Sequence, residues 1–343
     1  MELRELDHLP AGLLELNSAD LATHLDGPTL LHLSGEREPA LFVSVLMHGN
    51  EPVGWDAVRL LLQDSIDRNG KLRLPRAMSL FIGNVHAAAA NARHLPEQPD
   101  FNRVWPGSEE PPSPAHALMA EVVARMQRRQ IFASIDLHNN TGTNPHYACV
   151  NRVDNRFLHL ARLFARTIVY FVRPRGVQSQ AMARLCPSVT LECGRVGERL
   201  GVDHAREFVD ACLHLSELPD HALPPQDIDL FHTVAQVTVP DEVSFGFPPH
   251  DAQLLLSPEL ELFNFRELPA GASFGQVRSG GRIEVRDEHG RDVTRRFFTI
   301  EDGELILREP AMPSMLTADA TVIRQDCLCY LMERYNDHLP ARH

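Results

Sequence analysis

The most restrictive feature of this sequence is an alternation of short apolar runs and amphipathic stretches between about residues 40 and 217. Leu41–Leu46 has the composition of a buried strand, and the stretch after Pro52 places apolar residues at helical spacing. The same alternation returns in a strand at Ile131–Leu137 and a helix at about Asp203–Leu215. Because repeated strand–helix units build a sheet covered by helices, the pattern predicts an α/β fold with a largely parallel sheet.

The pattern changes at a proline-rich segment that begins at Leu218. Beyond it, Val234–Val239 alternates with period two, and glycine and proline turn signals recur towards the C-terminus. These features predict two domains, an α/β domain at residues 1–217 and a smaller β-rich domain at residues 218–343.

Charge and composition exclude several classes of partner. The chain has 33 Lys and Arg against 46 Asp and Glu, a net charge of −13, which disfavours nucleic acid and anionic membrane surfaces. No apolar run approaches the ~20 residues of a membrane helix, and the N-terminus lacks the apolar core of a signal peptide. We therefore expect a cytoplasmic protein without membrane or nucleic-acid partners, and the sequence leaves a homo-oligomer open.

Polar residues follow four of the predicted strands directly. They are His48 with Glu51, Asn84, His138 and Glu192. In open α/β sheets, ligands bind beyond the carboxyl ends of the strands. Charged groups are costly to bury there unless they are paired or bind a metal. The placement indicates a ligand or metal site at this edge of the sheet.

The residue types favour zinc. His-x-x-Glu occurs four times in the chain, so this spacing alone is weak evidence, but only His48/Glu51 lies between a buried strand and a helix start. Two histidines and one carboxylate, here His48, His138 and Glu51, form the three-ligand zinc site of hydrolases, which leaves one position for water. Glu192 is then placed to act as the general base, the alternative being a salt-bridged residue at a strand end.

A proline-containing loop lies between these elements and offers Arg93, Asn102 and Arg103. Guanidinium and amide groups beside a zinc site could bind a substrate carboxylate through charge-assisted hydrogen bonds. The alternative is a surface loop whose arginines are solvated.

Four segments occur in a characteristic order: His48-Gly-Asn-Glu51, Asp100-Phe-Asn-Arg103 with an upstream arginine, Asp136-Leu-His138, and Thr190-Leu-Glu-Cys-Gly194. Over residues 40–217 the chain thereby resembles the succinylglutamate desuccinylase/aspartoacylase family, a branch of the zinc carboxypeptidases. The resemblance implies a zinc carboxypeptidase-like mixed α/β domain, one Zn²⁺ per chain and a β-rich C-terminal domain.

The resemblance also implies a role for each site residue. It implies His48, Glu51 and His138 as zinc ligands, and Glu192 as general base and proton shuttle. It implies Asn102 and Arg103 as carboxylate binders with Arg93 as a helper. Arg184, the approximate counterpart of a family arginine that precedes the general base, is a further candidate for substrate binding.

The leading hypothesis for function is a zinc-dependent amidohydrolase that cleaves an N-acyl amino acid or a similar small acidic amide. Attack by the zinc-bound water would be assisted by Glu192, and Arg103 would stabilise the oxyanion or bind the substrate carboxylate. The alternatives are a metallocarboxypeptidase acting on peptide C-termini and a non-catalytic protein that binds an acidic metabolite. The complete ligand set together with Glu192 argues against the last of these.

Overall fold

The computed structural model describes residues 2–335. The described chain divides into two compact units, the first comprising residues 2–139 and 146–229 and the second residues 140–145 and 230–335. Residues 218–229, which the sequence analysis assigns to the second domain, lie in the first unit.

The first unit is a sheet with helices. Its eight strands are β1 (Arg4–Leu6), β2 (Thr29–Leu33), β3 (Ala40–Val45), β4 (Met78–Ile82), β5 (Ile131–Asn140), β6 (Tyr147–Val150), β7 (Thr167–Tyr170) and β8 (Ser188–Arg195). Its helices are α1 (Val53–Asp64), α2 (Val85–Ala89), α3 (Pro114–Arg129), α4 (Asn155–Phe164), α5 (Gln178–Met182) and α6 (Arg199–His214).

The strand order in this unit is β1-β2-β4-β3-β5-β8-β6-β7. β3 pairs in parallel with both β4 and β5, and β1/β2 and β6/β7 are parallel pairs, whereas β2/β4 and β6/β8 are antiparallel. The mixed, largely parallel α/β sheet predicted from the sequence is therefore confirmed.

Apolar packing on both faces explains why the strands are continuous apolar runs. Every residue of β3 and β4 is buried, as expected of strands covered on two sides. On one face, α3 packs Leu118, Met119 and Val122 into a cluster with Phe81 and Trp105. Helix α3 begins with a proline. Proline is favoured at this position because the N–H that it lacks would have no acceptor within the helix.

Helix α6 begins earlier than the sequence predicts, at Arg199 instead of Asp203. The additional residues at its start include Gly201. A Cβ on Gly201 would lie 2.0 Å from the carbonyl oxygen of Cys193. Glycine is therefore used here for close packing of the helix against β8, which outweighs its low helix propensity.

The second unit is rich in β-structure, as predicted. It contains β9 (Asp229–Thr238), β10 (Phe245–Gly246), β11 (Leu254–Leu256), β12 (Ser273–Val277), β13 (Glu284–Asp287), β14 (Phe298–Glu301), β15 (Glu304–Leu307), β16 (Met312–Ser314) and β17 (Cys329–Arg334), with short helices α7 (Thr294–Phe297) and α8 (Ala320–Gln325). Strand β9 pairs with β13 and β17, and β10-β11-β12-β15-β14 form a second sheet. Phe274 and Phe297 are fully buried in its core.

Across the described residues, no helix combines the length and the apolar character needed to cross a membrane.

Candidate active site

Two histidines and a glutamate meet at the carboxyl ends of the central strands. His48 and Glu51 lie in the connection from β3 to α1, and His138 lies near the end of β5. Their ligand atoms all lie within 4.8 Å of one another, and all three residues are buried. The two carboxylate oxygens of Glu51 face the Nδ1 atoms of His48 and His138, at 2.8 and 2.7 Å. The three predicted ligands are thus brought together by the fold.

The short connection after β3 requires glycine at position 49. A Cβ on Gly49 would lie 2.2 Å from the carbonyl carbon of Ala87 in α2. The backbone N–H of Gly49 also donates to the carbonyl of Arg93, at 3.1 Å. The close approach between two backbone segments turns the chain so that His48 and Glu51 point to one centre.

Each histidine is held through its second ring nitrogen by a further carboxylate. Nε2 of His48 lies 3.1 Å from Oδ1 of Asp100, and Nε2 of His138 lies 2.9 Å from Oδ2 of Asp136. A proton on Nε2 donates to these carboxylates and leaves the Nδ1 lone pair directed at the centre, which is the usual arrangement around a metal-binding histidine. Sequence reasoning did not assign these roles to the two aspartates, although Asp136 and His138 share a strand face.

Opposing effects set the pKa values of the three candidate ligands. Burial lowers the pKa of His138, but Asp136 and Glu51 outweigh it and hold this pKa well above its usual value. Burial and Arg93 lower the pKa of His48, but Glu51 and Asp100 raise it more strongly. Burial raises the pKa of Glu51, but the two histidines bring it far below its usual value. The cluster thus favours an ionised glutamate facing cations.

Glu192 lies in β8 and is buried. Its Oε2 atom is buried without a hydrogen-bond partner among the described residues. Burial raises the pKa of Glu192 to about 7. His138 and His48 lower this pKa by smaller amounts, and Glu51 and Asp136 raise it, so the carboxyl lies within electrostatic range of the three candidate ligands. A carboxyl with a pKa near neutrality is suited to accept and return a proton.

Asn102 and Arg103 lie beside the same centre. The side-chain carbonyl of Asn102 accepts a hydrogen bond from the backbone N–H of Gln178, at 3.0 Å, and its Nδ2 atom lies 3.3 Å from Nε2 of His138. The hydrogen bond from Gln178 fixes the orientation of the amide, so that its NH₂ group faces His138. Arg103 is half-buried and donates from Nη1 to the carbonyl of Asn102, at 2.9 Å.

The structure places the other two predicted arginines differently. Arg93 is buried and forms a two-pronged ion pair with Asp100, with Nε and Nη2 at 2.9 and 2.8 Å from Oδ2. Its Nη1 atom lies 4.0 Å from Oε1 of Glu51. Arg184 is exposed and precedes β8, the strand that contains Glu192. Arg93 therefore contacts the aspartate that holds His48, whereas Arg184 lines a separate cavity.

The donor set fits a zinc ion. Two imidazole nitrogens and one carboxylate match the nitrogen and oxygen ligands that zinc binds in hydrolases, and both histidines have the supporting carboxylates that such ligands need. A buried carboxyl with a raised pKa lies within electrostatic range. The fold and this cluster together define an α/β protein with a candidate metal site of the type found in hydrolases.

Comparison with known proteins identifies the family. Residues 37–218 match the model of the succinylglutamate desuccinylase/aspartoacylase catalytic domain, and the chain therefore belongs to this family. The resemblance stated from the sequence motifs is confirmed. A search of curated proteins gave no match.

Solved structures with the same fold include a succinylglutamate desuccinylase from Vibrio cholerae, 16% identical, with a TM-score of 0.59 over 95% of this chain and 98% of that chain. The enzyme of the same name from Vibrio parahaemolyticus is 15% identical, with a TM-score of 0.58 over 89% and 86%. Murine aminoacylase 3 is 18% identical, with a TM-score of 0.52 over 88% and 97%. At these identities the similarity concerns the fold.

Proposed function

We propose that this protein is a zinc-dependent amidohydrolase that removes the acyl group from an N-acyl amino acid or a similar small acidic amide. The proposal rests on family membership and above all on one observation, the unpartnered and buried carboxyl of Glu192 near the His48–Glu51–His138 group.

The three ligands and the general base would divide the chemistry between them. His48, Glu51 and His138 would hold the zinc ion, which supplies a Lewis acid for the amide carbonyl. Glu192 would take a proton from the attacking water as the new C–O bond forms. The same carboxyl would deliver that proton to the amide nitrogen as the C–N bond breaks, so that a carboxylic acid and an amine leave and Glu192 is regenerated. The acid would then give its remaining proton to the amine or the solvent.

Asn102 and Arg103 would bind the substrate carboxylate. The Asn102 amide is already oriented by Gln178, so its NH₂ group is available as a donor without a rotamer search. The Arg103 guanidinium would add a charge-assisted bond and reject substrates that lack the carboxylate. Arg93 would act indirectly, by holding Asp100 and through it His48.

A substrate panel tests this function. Zinc-loaded protein is assayed against N-acetyl, N-succinyl and N-formyl amino acids and against short peptides, with the Glu192→Gln variant as the control. We expect hydrolysis of at least one N-acyl amino acid by the wild type only. Cleavage confined to peptides would instead support a carboxypeptidase, and zinc binding without hydrolysis of any panel member would support a metabolite-binding protein.

A further inference from the structure

A cavity lies at the start of β8, on the N-terminal side of Glu192. It has a volume of about 390 Å³, and its lining includes Arg152, Arg156, Arg184 and Pro187. Tyr147 at the start of β6 pairs with Glu192, and because β6 and β8 are antiparallel, the residues after β6 lie near the start of β8. The cavity is therefore remote from the candidate metal site within the same unit.

Three separate segments supply the arginines of this cavity. Arg152 follows β6, Arg156 lies in the first turn of α4, and Arg184 follows α5. The sequence offers Arg184 as a candidate substrate-binding residue. In the fold, Arg184 lines the same cavity as the other two arginines.

The arginines outnumber the carboxylates in the lining of this cavity. In the described part of the chain, none of the three guanidinium groups takes part in an ion pair, although Arg152 donates to the carbonyl of Ala183 at 3.4 Å. Asp154 also lines the cavity, but its carboxylate caps α4 by accepting the N–H of Arg156, at 3.0 Å. Asp220 is the other acidic lining residue. The lining keeps an excess of one positive charge in a chain whose net charge is −13.

Helix α4 forms one wall of the cavity. It is ten residues long, and its N-terminal turn, with Asn155 and Arg156, belongs to the lining. The capping carboxylate of Asp154 already meets the partial positive charge of this helix N-terminus. The positive charge of the lining therefore comes from the three arginines.

We propose that this cavity is an accessory binding site for a small oxyanion with two negative charges, a phosphate group or a dicarboxylate. Arginine binds both kinds of anion through paired N–H groups. The volume is in the range of small-molecule sites and exceeds that of a bare phosphate, so a phosphorylated or dicarboxylic metabolite fits it. The site does not depend on the proposed hydrolase activity.

Calorimetric titration of the full chain tests the proposal, with inorganic phosphate and succinate as probes at constant ionic strength. The variants are Arg156→Ser and Arg184→Ser, and the matched control is Arg128→Ser, an exposed arginine in the last turn of α3. We expect each cavity variant to weaken binding about tenfold or more and the control to bind as the wild type does. Melting curves confirm that these surface variants are folded.

The two probes identify the source of the anion. Binding of phosphate alone assigns a phosphate group, and binding of succinate at similar or higher affinity assigns a dicarboxylate. The same titrations are repeated with zinc removed and in His138→Ala, because both anions could also bind at the metal site. Absence of binding by either probe, or binding that is lost in His138→Ala but kept in Arg184→Ser, would overturn the accessory site.

Discussion

Replacement of Glu192 by Gln tests the central feature of the proposed mechanism. Gln keeps the shape and hydrogen-bonding capacity of the side chain but removes the group that titrates. The zinc content should be unchanged, since Glu192 is not among the candidate ligands. Turnover of an N-acyl amino acid should fall by roughly 10²–10⁴, the usual contribution of general acid–base catalysis.

The pH dependence of kcat/KM tests the role of Glu192 in a second, independent way. With a pKa of about 7, Glu192 is mostly protonated at pH 6 and mostly ionised at pH 8. Since only the ionised form acts as a base, wild-type kcat/KM should rise about tenfold from pH 6 to pH 8 and then level off. The residual activity of Glu192→Gln should lack this rise.

Stability of the metal-free protein should show the same titration. Burial moves the pKa of Glu192 from 4.5 to about 7, which corresponds to about 3 kcal/mol at 1.36 kcal/mol per pKa unit. Because the folded protein binds this proton more tightly than the unfolded chain, the contribution to stability is complete below pH 4.5 and is lost as the pH rises through 7. At pH 8, Glu192→Gln should therefore be more stable than the wild type by up to this amount, and the difference should vanish at pH 4.5.

The measurements are kcat/KM between pH 5.5 and 8.5 with zinc-loaded protein, and denaturant unfolding of chelated protein at pH 4.5 and 8. Wild-type turnover in Glu192→Gln would remove the residue from the mechanism. A stability difference that does not depend on pH would show that the carboxyl is not held protonated by burial, and the reasoning from its environment would be wrong.

Five further outcomes follow from the site geometry. His138→Ala should lower the zinc content below one ion per chain, as measured by metal analysis. Asp136→Asn weakens the partner of Nε2 of His138 and should reduce the affinity for zinc about 10–100-fold, as measured by competition with a chelator. Arg103→Lys should lose most of the preference for a free-acid substrate over its methyl ester, because a lysine ammonium does not replace the planar, two-pronged guanidinium. Equal wild-type rates on both substrates would exclude the carboxylate-binding role. Gly49→Ala should destabilise the fold and reduce zinc content, whereas Gly27→Ala, whose Cβ meets nothing within 4 Å, should unfold within about 0.5 kcal/mol of the wild type. Zinc uptake should release protons, because the raised pKa values of His48 and His138 favour the imidazolium forms whereas zinc binds neutral imidazole; calorimetry in buffers of different ionisation enthalpy measures this release.

The sequence predicts the metal-site candidates because their positions follow from local rules. A buried strand, a glycine and a polar residue at the strand end can each be recognised without knowledge of the tertiary structure. His48, Glu51 and His138 meet because neighbouring parallel strands end at the same edge of a sheet. The same rule placed Glu192, which lies on the strand next to β5.

The rest of the site depends on contacts that no local pattern contains. The orientation of Asn102 is set by a backbone N–H of Gln178, 76 residues away, in a five-residue helix that the sequence did not predict. Asn84 follows its strand as predicted but caps α2, where its side chain accepts the N–H of Ala87. Arg184, which the resemblance offers as the approximate counterpart of a family arginine, precedes β8 and lines a separate cavity.

Burial is the largest influence on the pKa of Glu192 and raises it to about 7. The two histidines of the candidate metal site lower this pKa, whereas Glu51 and Asp136 raise it, so the charges of the neighbouring groups oppose one another at Glu192. In the proposed mechanism, the pKa of the general base near neutrality therefore comes chiefly from its burial and not from any single neighbouring charge.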